Sequence, residues 1–360
     1  MESARNETSP PKVTRARGIL FFWLSVVIFA AANSILAKLG EKGAHNLIHG
    51  RNPISFCNVL FTANLIAGLT LLAVYRKSWN LQQLRALSRQ HWVTMLVVAF
   101  LANFLAPTLT FLGLMLTEVI NVVLISTLDI PLALLFGWIL SKERPKIPAI
   151  LAALLAITGI TVSFWLHKPA ELSHDMKMTM INIGQNRLAV FLSSVPQAGE
   201  WAVALGVVIL AATQEYSRKF LKEVPIGIYS VFRMIIGTII FFFVVIMMLG
   251  WVHFIDIFSP FLWEWMLLYG GIIIAGGLYL WYTSLPTVQP ADFSLGNAVA
   301  PIAGIAFAWL ILREVPDRGQ MLGGIFILAG ICIGLLDKLS HLPKIKKILP
   351  FSKTRSFTGL

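Results

Sequence analysis

Ten apolar runs, each about the length needed to cross a bilayer, divide this chain. They start near Gly18, Ile54, His91, Glu118 and Ile147, and after a polar break near Glu200, Ile226, Leu262, Pro290 and Gln320. A helix rises ~1.5 Å per residue and the hydrocarbon slab is ~30 Å thick, so one span takes ~20 residues. Ten spans use ~200 residues by that rule, and 57% of the 360 residues are hydrophobic. No room is left for a sizeable soluble domain. Only 13% of the residues are charged, against about 25% in an average soluble domain. A soluble fold of mean hydropathy +0.77 would expose large apolar patches, and disorder requires low hydrophobicity. The expected fold class is an all-α polytopic membrane protein whose principal partner is the lipid bilayer.

The net charge of +12 does not point to nucleic acid, because the basic residues sit in short segments between apolar runs, where they orient a membrane protein. With the N-terminus cytoplasmic, 20 of the 29 Lys and Arg fall in inside segments, eight fall outside, and Arg233 lies within a run. Both termini are therefore expected inside, in a cytoplasmic (plasma or inner) membrane. Residues 1–17 read as a disordered basic tail and 338–360 as a basic cytoplasmic tail. Residues 167–199 form an extracytoplasmic connection between halves at 18–166 and 200–337. The first run exceeds a usual signal-peptide core and nine more follow, so it reads as a retained helix. Cys57 and Cys332 lie in apolar runs near opposite ends and give neither a disulfide framework nor a metal site.

The halves resemble each other. Lys142-Glu143-Arg144-Pro145 is followed by Gly159, and Arg313-Glu314-Val315-Pro316 by Gly330, at equal spacing. A proline within a run precedes each motif, Pro131 and Pro301. The preceding runs open on Pro53-Ile54 and Pro225-Ile226, and a polar residue stands five before a lysine in both Asn33…Lys38 and Gln214…Lys219. Five helices per copy is an odd number, so tandem copies must be inverted relative to one another. Such repeats are built for alternating access. In this layout and these motifs the chain resembles the drug/metabolite transporter superfamily, in its ten-helix EamA-type branch, over about residues 18 to 337. The resemblance implies export of a small-molecule substrate through a central cavity. Its members handle amino acids, other metabolites and drugs. The 33-residue connection is longer than such chains usually carry.

An ionisable group inside a span costs at least ~2.5–3.5 kcal/mol on insertion scales, so each is a functional candidate. Asp129 lies in the fourth run and shares a helical face with Asn121 and Glu118 at near-integral turns. It is a candidate for substrate binding or proton coupling, with a polar interhelical contact as the bland role. Glu118 also suits a helix start. Glu215 is a second proton-coupling candidate, and pairing with Arg218 or Lys219 is its alternative. Arg233 sits about eight residues into the seventh run beside Tyr229 and Gly237. Its planar fork suits a substrate carboxylate, and a protein carboxylate suits it equally. Trp281 and Tyr282, with Tyr279, could stack on substrate or anchor an interface. Asn33, Asn58, Asn103 and Asn297 complete the expected substrate-binding set, with Thr62 beside them; polar contacts between helices are their ordinary role. Asp292 fits helix-start chemistry. The Gly330/Gly334 pair and the Ala300, Gly304, Ala308 stripe fit close helix packing, and a homodimer seam is the other use of such patterns.

No P-loop, Gly-x-Ser-x-Gly, His-Glu-x-x-His or paired-cysteine pattern occurs. The expectation is a secondary transporter without cofactor or catalytic residues, coupled to protons or working by exchange. The alternatives are a membrane-embedded enzyme acting on a lipid-linked substrate, or a channel.

Overall fold

The computed structural model describes residues 14–142, 146–166, 195, 197–220, 224–285, 287–288 and 290–340. Most of the N-terminal tail, the connection 167–199 and the C-terminal tail lie outside the described residues, as does Glu143. The chain is all-helical apart from one isolated bridge, Ile48 with Arg51, among the described residues. The first half contains α1 (Arg15–Ala44), α2 (Phe56–Val74), a short α3 (Leu81–Ala86), α4 (Arg89–Leu116), α5 (Val119–Ser126), α6 (Asp129–Ser141) and α7 (Ile147–Leu166). The second contains α8 (Ala198–Phe220), α9 (Ile226–Leu249), α10 (Pro260–Ser284), α11 (Pro290–Phe307) and α12 (Arg318–Ser340).

Among the described residues, seven helical stretches are long and apolar enough to cross a membrane: α1, α2, α4, the α5–α6 stretch Val119–Leu140, α7, Ile226–Met247 of α9, and α10. Shorter apolar stretches run over Val299–Leu312 and Arg318–Gly334. α8 is not among the seven; Glu200, Gln214, Glu215, Arg218 and Lys219 lower its hydropathy. The chain is thus a multi-pass membrane protein.

Local chemistry sets several boundaries. The Ser88 hydroxyl accepts the His91 N–H at 3.3 Å while His91 Nδ1 accepts the Ser88 N–H at 3.4 Å. This reciprocal cap starts α4 two residues before the apolar run itself. The α5–α6 span is broken in the middle. Pro131 has no N–H to continue the ladder, and three-residue bonds tighten the break: Thr127 to Leu124, Leu128 to Ile125, and Ile130 to Thr127.

α5 lies in the core: all seven residues from Val119 to Ile125 are buried. Its sequence is apolar on nearly every side, as a helix surrounded by others requires. α7 and α12 meet backbone to backbone. A Cβ at Gly159 would collide with the Gly323 carbonyl, and one at Gly323 with the Gly159 carbonyl. Gly330 lies against the Ala152 carbonyl in the same seam, and Gly334 against Ala152 Cβ. The small-residue pair of the last helix therefore packs within the chain. The end of the bundle where α1 begins is termed proximal below, and the opposite end distal.

Candidate functional site

Asp129 opens α6, at the break in its span. The restarted helix has its positive dipole end there, which favours a carboxylate in the first turn. The break falls between Asp129 and the residues Glu118 and Asn121 at the start of α5. α6 packs on α8, and Asp129 interacts electrostatically with Glu215 of that helix. The two coupling candidates are thus brought together. One Asp129 carboxylate oxygen, Oδ1, is buried without a hydrogen-bond partner among the described residues.

Arg233 lies seven residues beyond the start of α9, about 10 Å along the axis. Its guanidinium is 5.4 Å from the centroid of the Tyr229 ring one turn earlier, and it interacts electrostatically with Tyr282 of α10. Tyr229 donates to Ser217 Oγ at 3.4 Å. Tyr75 and Tyr279 bring their rings to 6.4 Å nearby on α2 and α10, and Tyr75 also interacts with Tyr282. Two phenols, Tyr229 and Tyr282, therefore act on one cation, and Tyr75 and Tyr279 stand beside Tyr282. Among the described residues no carboxylate lies within ion-pair distance of Arg233, and its buried Nε has no acceptor.

Asn103 sits in a five-residue π-turn, Leu101–Leu105, within α4. Its amide donates to Met234 Sδ at 2.9 Å, which sets it on the helix facing Arg233's own. Its Oδ1 is buried and unpartnered. Asn58 is 1% exposed; its amide donates to the Pro53 carbonyl at 3.1 Å, and its Oδ1 also lacks a partner. Ser34 on α1 has an orphan hydroxyl in the same sense. Asn33 beside it is half-buried. Trp281 packs against Phe22 and Phe29 of α1, with centroids 5.6 and 6.5 Å away. Asn297 is on α11, and its side chain lies outside the described part of the structure. Among the described residues no group of His, Cys, Asp or Glu clusters as metal ligands.

A second polar assembly lies at the distal end. The Glu314 carboxylate accepts the Val119 and Ile120 N–H groups, both at 3.0 Å. It thereby caps α5 from the loop between α11 and α12. Gln320 Nε2 donates to Glu118 Oε2 at 2.8 Å and to Asn121 Oδ1 at 2.9 Å. Glu200 Oε1 accepts from Thr117 Oγ1 at 2.6 Å and Asn121 Nδ2 at 3.2 Å. A cavity of about 10 Å³, one water in size, lies beneath, bordered by Asn121, Ser163 and Glu200. Burial pushes the Glu314 carboxyl above its ordinary range; the Val119 and Ile120 N–H bonds act against that, and Glu118 and Glu41 reinforce it. Farther round the same end, Arg51 makes a bidentate pair with Asp256, at 3.0 and 3.2 Å, between the α1–α2 and α9–α10 loops.

Sequence reasoning did not find Glu200 or Gln320, nor the capping role of Glu314. The available signal was the recurrence of Glu143 and Glu314 at equivalent motif positions. Tyr229 was legible one helical turn before Arg233; nothing local announces Tyr282, Tyr279 or Tyr75 there, because they come from other elements.

The EamA-like transporter family profile matches this chain twice, over residues 16–165 and 197–336. A protein of Synechocystis sp. (strain ATCC 27184 / PCC 6803 / Kazusa) described as an uncharacterized transporter is 36% identical over 322 residues, 89% of this chain and 87% of that protein. A solved crystal structure shares the fold at 16% identity, with a TM-score of 0.55 over 90% of this chain and 99% of that one.

Proposed function

Because this chain belongs to the EamA-like transporter family, and is thus a membrane transporter, we propose that it exports a small metabolite by alternating access, as a secondary carrier rather than an enzyme. An amino acid or a drug-like compound is the substrate this reading expects. The observation that carries this reading is the set of orphaned polar atoms on helices of one bundle: Asn58 Oδ1, Asn103 Oδ1, Asp129 Oδ1 and Arg233 Nε. Buried polar groups are nearly always paired. In a membrane-spanning bundle, unpaired ones mark a wet path or a ligand site. Arg233, held among tyrosines without a carboxylate, suits an anionic group on the substrate. Asp129 beside Glu215 suits an amine or a proton. A zwitterion engages both ends, and competition between proton and substrate at Asp129 couples export to proton entry.

Several features support reading the fold as ten spans in two inverted repeats. Lys142 and Arg313, at the head of the repeated motif, both take the left-handed conformation, with φ of 56° and 63°. π-turns interrupt both α4 (Leu101–Leu105) and α10 (Leu267–Gly276), the third span of each half. Helix partners correspond too: α8 packs on α4 as α1 packs on α10, and α8 on α6 as α1 on α11. In this reading the Glu314 and Gln320 bonds hold the distal gate shut and part when the carrier opens to that side.

Flux of candidate substrates into sealed vesicles tests the proposal. A carrier gives saturable flux that accelerates with substrate on the opposite side. Arg233→Lys keeps the charge but loses the fork, and should weaken carboxylate substrates selectively. Non-saturating flux, or the absence of flux across a broad metabolite set, rejects it.

A further inference from the structure

A crevice of about 420 Å³ opens at the distal end between α1 and α10, bordered also by Ile311 where α11 ends. It adjoins the distal assembly through Glu41. Its walls divide by chemistry. Ile35, Leu39 and Ile311 supply an apolar surface, and Lys38, Lys42 and His45 supply a basic rim on the last turns of α1 and just beyond. Glu41 is the one acid on it, and it already engages Lys38 at 2.7 Å. Lys42 is exposed, with its ammonium 3.9 Å from the Trp265 ring centroid. That contact holds a cation at the mouth without neutralising it. The indole N–H of Trp265 is buried and without an acceptor.

A fixed cation above an apolar wall, at the end of membrane-spanning helices, is complementary to an amphiphile with an anionic head. We propose that this crevice binds an anionic phospholipid, its phosphate at Lys42 and Lys38 and an acyl chain along Ile35, Leu39 and Ile311. The volume lies in the range of small-ligand sites, and the crevice opens at the ends of membrane-spanning helices. The site would tie α1 to α10.

The test uses the purified full chain in neutral detergent, with phosphatidylglycerol and phosphatidylcholine of identical chains as probes and retained lipid counted by native mass spectrometry. Wild type should retain phosphatidylglycerol preferentially. Lys42→Gln should weaken that binding about fivefold, at ~1 kcal/mol per basic residue near a lipid surface and 1.4 kcal/mol per decade. Glu41→Gln removes the opposing charge and frees Lys38, so it should tighten binding by a similar factor. Both positions are exposed, so both variants should fold. Lys77→Gln, exposed at the proximal end, should change nothing. Equal retention of the two lipids, or the same affinity in Lys42→Gln and Glu41→Gln, overturns the proposal. So does displacement of the lipid by millimolar glycerol phosphate, which would show a site for the free anion rather than the lipid.

Discussion

Replacing Glu314 with alanine should loosen the distal closure, and the structure allows its size to be worked out. The carboxylate accepts two N–H groups at the first turn of α5, each at 3.0 Å. Removing it orphans both donors at a helix start whose following residues are all buried. A donor left without a partner costs about 1–3 kcal/mol, and losing a helix cap costs ~0.5–2 kcal/mol. Water reaches a half-buried loop and recovers part of this. A net shift of about 2 kcal/mol toward the distally open form follows, roughly thirtyfold in population at 1.4 kcal/mol per decade. The reporter is Ser163→Cys, 6% exposed on the small cavity beneath the closure, in a background with Cys57→Ala and Cys332→Ser. Its reaction with an impermeant maleimide should accelerate at least tenfold in Glu314→Ala. Glu314→Gln retains one acceptor and should fall between. Thermal unfolding of each variant separates opening from loss of fold. A labelling rate within twofold of the parent, in folded Glu314→Ala protein, would refute the closure role.

The same group predicts a pH effect. Its pKa is raised in this structure; in the proposed closure role, closure is favoured at low pH and weakens as pH rises from the ordinary glutamate value near 4.5 through the raised one. The maleimide rate should rise across that window in wild type and lose that component in Glu314→Gln. Asp129→Asn should slow vesicle flux and flatten its dependence on a proton gradient; unchanged flux and profile remove the coupling role. Gly323→Val places a side chain on the Gly159 carbonyl, and overpacking of this kind costs ~1–3 kcal/mol, which should lower the melting temperature of the purified protein. Single cysteines at Ser3 and Ser173, in the cysteine-free background, test orientation: Ser173→Cys should label in intact cells and Ser3→Cys should not.

The sequence by itself determined the class of this protein. Repeated apolar runs of bilayer length leave a chain no solvent but lipid, and hydropathy is a property each segment carries alone. The repeated (Lys/Arg)-Glu-x-Pro…Gly motif and its spacing were legible for the same reason. So was the standing of Arg233 and Asp129 as candidates, because a charge inside an apolar run is anomalous wherever the run packs. The tertiary structure decided which of these groups meet. Helical periodicity joined Asp129 to Asn121 along one face, but that Asp129 meets Glu215 of α8 is a matter of packing. Asn121 joins Glu200 and Gln320, residues 79 and 199 positions away. Tyr229 of α9 and Tyr282 of α10 meet at Arg233, with Tyr75 from the end of α2 beside Tyr282, and Lys42 finds Trp265 across 223 residues. Such contacts depend on how helices are arranged around one another, which is settled by packing of whole faces, as where Gly159 meets Gly323, and no local pattern records it.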